Sequence, residues 1–248
     1  MKQKIITWIR RQVRQAKAKG VVFGLSGGMD SAVTATLCVR ALGKKRVLGL
    51  ILPCLSQKQD LIDAHLIAKK LKINVKSIDL GPIYKVCLKL LPKADQVTCG
   101  NFKARLRMTI LYYFANKLNY LVCGSSNKSE RIIGYFTKFG DGAADILPLG
   151  DLLKSQVKEL AKTLNIPQSI INKTPTAGLW PDQTDEGELG ISYSQLDDIL
   201  ARLLGGKRQI QPSRLVNKVK IRIETSGHKQ RLPNICKIRL LTKNYPHL

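Results

Sequence analysis

Residues 21–31 read Val-Val-Phe-Gly-Leu-Ser-Gly-Gly-Met-Asp-Ser, and a helix-compatible stretch begins near Ala32. An apolar strand, a glycine turn and a helix start gather free backbone N–H groups around an anion. Gly27 and Gly28 lack a Cβ, so the backbone there can take positive φ and approach a phosphate closely. Ser26 and Ser31 add hydroxyl donors. Asp30, the first acidic residue of the chain, would repel phosphate unless a cation lay between them. The loop therefore fits a metal-bound polyphosphate. It is not the Walker type, which needs GxxxxGK[ST] and a lysine on the β/γ-phosphates. For these few residues the plainer alternative is a strand-to-helix turn capped by Asp or Ser.

Outward from the loop, strand-like runs at 21–26, 46–54, 74–80 and 120–124 alternate with helical spacing over 30–42, 57–71 and 101–117. This alternation predicts an α/β fold: a doubly wound, mostly parallel, Rossmann-like sheet with helices on both faces. Such sheets bind ligands at the carboxyl ends of their strands, where the 26–31 loop and Gly124-Ser125-Ser126 both fall. His65 lies in the 57–71 helix beside Leu61, Ala64, Ala68 and Leu71, and reads as a helix residue rather than a ligand. Asp151 is expected to cap a helix running to 164, a Pro-rich acidic loop covers 174–190, and a further helix covers 192–204. One domain over 1–248 is expected, with an N-terminal helix in 1–20, a nucleotide-binding core in 21–204 and a basic segment in 205–248. Ile5, Ile9 and Val13 give the N-terminal helix its apolar stripe. Its Arg/Lys-rich, acid-free composition resembles a transit peptide, but it has no serine and leads straight into the first strand.

The 248 residues carry a net charge of +25. Seven Lys/Arg and no acid lie in 1–20, and eleven Lys/Arg stand against Glu224 alone in 205–248. Such a field attracts polyanions, nucleic acid among them, and equally a substrate bearing several phosphates. Aromatics are only 6% and do not interleave with the basic ends, which disfavours a base-stacking nucleic-acid binder. The six cysteines form no CxxC pair and no zinc spacing, so a reducing, cytoplasmic setting is expected rather than a disulfide scaffold. No apolar run approaches the ~18 residues that span a bilayer.

Residues 124–150, GSSNKSERIIGYFTKFGDGAADILPLG, gather Glu130, Lys138, Asp141 and Asp145 among glycines without a clean period. Polar, glycine-rich loops at strand ends are where function tends to sit. The 26–31 sextet resembles the pyrophosphate loop of the ATP pyrophosphatases, which belong to the adenine nucleotide alpha-hydrolase type of fold. With GLSGGMDS at 24–31, NFKARLRM at 101–108, the run 129–161, KTPTAGLWPDQTDEGELGISY at 173–193 and HKQRLP at 228–233, the chain resembles the ammonia-dependent NAD synthetases over nearly its whole length.

That resemblance implies ATP-dependent amidation of deamido-NAD by ammonia, through an acyl-adenylate, giving NAD, AMP and pyrophosphate. It implies ATP contacts at Gly24, Leu25, Ser26, Gly27, Gly28, Met29, Asp30, Ser31, Ser125, Lys154 and Thr176, and Mg²⁺ on Asp30 and Glu130. It implies deamido-NAD contacts at Arg105, Lys138, Asp145, His228 and Lys229, and a homodimer. Lys154 is expected to act on the α-phosphate and Asp145 to deprotonate ammonium. Ser125 stands where threonine is common, Gly178 where aspartate often follows Pro-Thr-Ala, and Gln230 where arginine is frequent. Glutamine-dependent relatives carry an amidase domain before the synthetase; here only 25 residues precede the loop's serine, so free ammonia is the expected donor. A tRNA-modifying enzyme of the same loop class and a basic nucleic-acid-binding protein are the competing readings.

Overall fold

The computed structural model describes residues 1–205 and 211–236. The expected single domain runs beyond these limits, and its outer parts lie outside the described residues.

Four strands, β1 (Gly20–Gly24), β2 (Val47–Ile51), β3 (Asn74–Ser77) and β4 (Tyr120–Val122), form a parallel sheet in the order β3-β2-β1-β4. Parallel strands need crossovers, and the chain supplies helices for each. Helix α1 (Lys2–Gln15) precedes β1, α2 (Met29–Leu42) joins β1 to β2, and α3 (Lys58–Leu71) joins β2 to β3. Helices α4 (Gly81–Leu90) and α5 (Gln96–Leu118) carry the chain from β3 to β4 on the far side of β1. The winding thus reverses at β1, and the crevice between β1 and β4 is the switch point where such sheets bind ligands.

The two-residue side-chain period divides the sheet between two cores. Val21, Phe23, Val47 and Ile51 face α1, α2 and α3, while Val22, Leu48, Leu50 and Val122 face α4 and α5. Helix α1 buries Ile6, Ile9 and Val13, with Ile5 at the edge of the stripe. A third core joins α6 (Lys128–Ile132), α9 (Asp185–Leu189), α10 (Tyr193–Gly205) and α11 (Arg214–Ser226), while α7 (Lys154–Thr163) and α8 (Gln168–Ile171) pack on the first.

All four strands lie inside the expected runs, except that β1 begins one residue earlier, at Gly20. Several details differ from expectation: α9 falls inside the stretch 174–190 expected as a loop, with Thr184 capping it, and α11 forms within the basic segment. Helix α4 was not foreseen: Gly81-Pro82 reads as a breaker, yet proline suits the first turn of a helix, where its missing N–H is no loss. Helix α5 starts at Gln96 because Asp95 caps it, its Oδ1 accepting the Thr98 N–H at 2.7 Å. Asp151 caps nothing. Its carboxylate pairs with Lys128 at 2.8 Å, and α7 starts three residues later, where Gln156 Oε1 accepts the Leu153 N–H. On α3 the buried stripe is Asp63, Ala64, Ile67 and Ala68, which leaves His65 exposed.

Gly20 opens β1 where the backbone of β2 passes close by. A Cβ there would collide with the Arg46 carbonyl oxygen and lie 2.7 Å from Tyr120 Cζ. Because the Arg46 carbonyl is fixed, Gly20→Ala should destabilise the fold by about 2–3 kcal/mol. Urea unfolding measures it, and an unchanged midpoint would contradict the packing described.

Candidate active site

The turn after β1 is braced from within. Ser31 Oγ donates to the Gly28 carbonyl at 2.8 Å and lies 3.1 Å from Ser26 Oγ, which accepts the Gly28 N–H at 3.3 Å. Gly27 takes φ +81°, and a Cβ on it would collide with the Asp60 carbonyl oxygen of α3. Glycine is required there both by conformation and by space. The first-turn N–H groups of α2 have no intrahelical acceptor, and Gly28, Met29, Asp30 and Ser31 all line the cavity described below.

Opposite this turn, α6 and α7 present two side chains to Asp30. Asn127 caps α6 and forms a reciprocal box with Glu130: its Oδ1 accepts the Glu130 N–H at 3.0 Å, and Glu130 Oε2 accepts the Asn127 N–H at 3.2 Å. That box fixes Glu130 so that Oε1 faces the cavity. Asn127 Nδ2 also donates to Asp30 Oδ1 at 3.1 Å, which ties α6 to α2. Ser129 and Asp197 lock the start of α7, where Ser129 Oγ accepts the Lys154 N–H and Asp197 accepts both the Ser129 hydroxyl and the Ser155 N–H. Lys154 Nζ then lies 2.5 Å from Asp30 Oδ2 and 3.1 Å from Glu130 Oε1.

This ammonium is buried beside three acids. Burial alone would lower its pKa, but Asp30 and Glu130 outweigh that, and Lys154 stands above the ordinary lysine range. For Glu130, burial dominates and pushes the carboxyl up to about 7, against the pull of Lys154. Asp185 is likewise raised by burial; it accepts the Tyr193 hydroxyl at 2.9 Å and the Tyr135 hydroxyl at 3.1 Å. The Tyr193 ring lies under the Lys154 ammonium, 4.9 Å from its centroid.

All of this lines a cavity of about 1100 Å³. Gly24, Leu25, Ser26, Gly28, Met29, Asp30, Ser31, Ser125, Glu130, Lys154 and Thr176 reach it, and Gly27 braces it from behind. Of the residues expected to contact ATP or metal, then, all but Gly27 line one cavity. Arg105, Lys138, Asp145, His228 and Lys229 do not line it. Four of these form a second cluster: Arg105 donates to the Lys138 carbonyl, Lys138 Nζ to the His228 carbonyl at 2.7 Å, and Lys229 Nζ to the carbonyls of Gly134 and Phe136. Asp145 stands apart from both, accepting the Val122 N–H at 2.7 Å and facing the Tyr112 hydroxyl at 3.4 Å. Burial, then Asp145, pushes the Tyr112 phenol up to about 12.

Sequence reasoning missed Asn127, Asp185 and Tyr193. Only Asn127 had a readable signal, since Asn-x-x-Glu at 127–130 spells a capping box. The tyrosine and Asp185 reach the site through long-range packing that no local pattern encodes.

A parallel sheet with a glycine-serine phosphate turn at its switch point, faced by a buried Lys and two carboxylates, defines a nucleotide-binding α/β protein built for phosphate chemistry. A model of the NAD synthase family matches residues 1–233. The chain belongs to that family. It is similar to an NH(3)-dependent NAD(+) synthetase of Methanocaldococcus jannaschii, 48% identical over 93% of each chain. Among solved structures it is similar to an NMN synthetase from Francisella tularensis (TM-score 0.87, 41% identity, 96% of this chain and 97% of that one). An NH3-dependent NAD synthetase from Campylobacter jejuni superposes with TM-score 0.82 and 35% identity, over 95% and 97% of the two chains.

Glu130 carries a pH dependence of its own. A carboxyl whose folded pKa, about 7, lies above its ordinary 4.5 stabilises the fold when protonated. The contribution is complete below pH 4.5, shrinks as pH rises, and is gone above 7. In the presence of a chelator, melting temperature should fall across this window, and Glu130→Gln should flatten that fall. Equal slopes in the two proteins would remove the assignment.

Proposed function

We propose that this protein makes NAD from deamido-NAD, ATP and ammonia, releasing AMP and pyrophosphate. The observation that carries the reading is Lys154 held between Asp30 and Glu130 at a phosphate turn, in a chain of the NAD synthase family. Carboxylates are poor electrophiles. In the first step an oxygen of the nicotinate carboxylate attacks the α-phosphorus of ATP, and the bond to the β-phosphate breaks. Backbone N–H groups of the 26–31 turn and the hydroxyls of Ser26 and Ser31 hold the departing pyrophosphate, while Lys154 stabilises charge on the α-phosphate oxygens. In the second step ammonia adds to the carbonyl of the acyl-adenylate, AMP leaves, and the nitrogen gives up a proton. Asp145 is assigned to the deamido-NAD side as the carboxylate that takes a proton from ammonium.

The donor set fits Mg²⁺. Asp30 and Glu130 are hard oxygen ligands facing one ammonium, and among the described residues no group of three or more His, Cys, Asp or Glu could hold a metal unaided. Two carboxylates completed by phosphate oxygens is how Mg²⁺ is ordinarily held in nucleotide sites. When bound, the ion neutralises phosphate charge beside the leaving group.

Arg105, Lys138, His228 and Lys229 are assigned to deamido-NAD, where a cationic cluster suits a pyrophosphate. A homodimer follows from the same reading and is supported by exposed apolar side chains on and after α4, Ile83, Val86, Leu90 and Leu91, with Val97 and Tyr113 on α5. Among the described residues no helix is long and apolar enough to cross a membrane, and the setting we assign is the cytoplasm.

Mass spectrometry of products from ATP, Mg²⁺, deamido-NAD and ammonium tests the reaction. NAD, AMP and pyrophosphate should appear in equal amounts, and glutamine should replace ammonium poorly at neutral pH. Asp30→Asn should abolish AMP formation while leaving the circular dichroism spectrum unchanged; near-wild-type pyrophosphate release would remove the metal role. Because the Francisella tularensis relative is named an NMN synthetase, nicotinate mononucleotide is the second substrate reading. We expect kcat/KM for deamido-NAD to exceed that for the mononucleotide by about tenfold or more, the worth of one charge-assisted phosphate contact. The reverse preference would assign the protein to mononucleotide amidation.

A further inference from the structure

One wall of the cavity is an irregular stretch of chain, 173–179, that carries Thr176. Such a stretch has no ladder to hold it, and ordering each of its residues opposes binding. Here both ends are fastened by lysines. At the first end Lys173 Nζ reaches Asp60 Oδ1 at 2.8 Å and Asp63 Oδ2 at 2.6 Å, both on the first turns of α3. That part of α3 is also what backs the phosphate turn, through the contact of the Asp60 carbonyl with Gly27. At the other end Lys103 of α5, itself buried, donates from Nζ to the Leu179 carbonyl at 2.7 Å. Trp180 follows directly and lies against α5 at Gly100, where a Cβ would come within 3.0 Å of its ring.

The Lys173 pairs are not solvated surface bridges. The three side chains are 7–21% exposed, and burial, which would lower the lysine pKa, is outweighed by the two aspartates. We propose that Lys173, through Asp60 and Asp63, is a positioning residue that registers the 173–179 wall against the phosphate turn, so that Thr176 meets ATP in a preformed place. The proposal rests on the ATP reading of the cavity. Ordering is then built into the free protein rather than required at binding, and apparent affinity rises with the fraction of molecules whose wall is in place.

Trp180 offers a direct reporter, because Trp8 is the other tryptophan of the chain. In a Trp8→Phe background, Trp180 emission is recorded while α,β-methylene-ATP with Mg²⁺ is titrated. Lys173→Met should shift the emission of the free protein to the red and raise the Kd for the analogue about tenfold, as expected if the competent fraction falls to about a tenth. At saturating ATP, kcat should stay within about threefold of the parent. Lys173→Arg, which keeps both ion pairs, should restore emission and affinity. Unchanged emission and Kd in Lys173→Met would overturn the proposal, as would a lowered melting temperature and kcat at constant KM for ATP, which is the signature of a merely structural pair. If the parent itself fails to bind the analogue, the ATP reading fails while the emission of the free variants still decides whether Lys173 holds the wall.

Discussion

Two carboxylates that face each other across a buried crevice need a cation between them, and Lys154 is such a cation. Asp30 comes from the start of α2, Glu130 from α6 and Lys154 from the start of α7. Removing the lysine would leave two acids with no compensating charge, an arrangement that costs several kcal/mol in a desolvated place. The surrounding polar groups serve this one contact. Asn127 ties Asp30 to the α6 cap, Asp197 and Ser129 fix the start of α7, and Tyr193 with Asp185 closes the far side. When phosphates enter, the same ammonium can turn to their oxygens only if another cation takes its place between the two carboxylates, because carboxylate and phosphate are both acceptors.

The sheet makes this convergence possible. Reversal of winding at β1 leaves a crevice between β1 and β4, and the chain returns to it from each side. One return is the phosphate turn after β1, and the other is the stretch after β4, where Gly124 accepts no side chain larger than hydrogen beside Leu147 and Ala144. Glycine spares space at both returns, so two backbone segments can stand close enough for short side chains to meet.

Much of this is legible in the sequence. β1, β2 and β4 are apolar runs with clear ends, β3 (Asn-Val-Lys-Ser) is legible only from its place between two helical stretches, and the turn after β1 is local chemistry that a few residues spell out. Roles for Glu130 and Lys154 came from resemblance, since nothing within reach of either residue in the chain names Asp30 as its partner. Their meeting depends on the order of strands, which periodicity does not encode. Helix α4 was hidden because Gly81-Pro82 punctuates a sequence in two opposite ways, as a break or as a first turn. Asp151 misled for a related reason: a good capping residue was claimed by Lys128, and the helix began where Gln156 served instead. Asp185 and Tyr193 lie in the family-like run 173–193, but nothing in that run names them as neighbours of Lys154.

The separation of the two residue clusters has a consequence for how each tolerates substitution. Asp30, Glu130 and Lys154 are joined side chain to side chain, whereas Arg105, Lys138, His228 and Lys229 are held mainly through backbone carbonyls of a loop and of the turn after α11. Contacts to carbonyl oxygens are indifferent to the side chains at the accepting positions. A substitution at an accepting position therefore leaves these contacts in place.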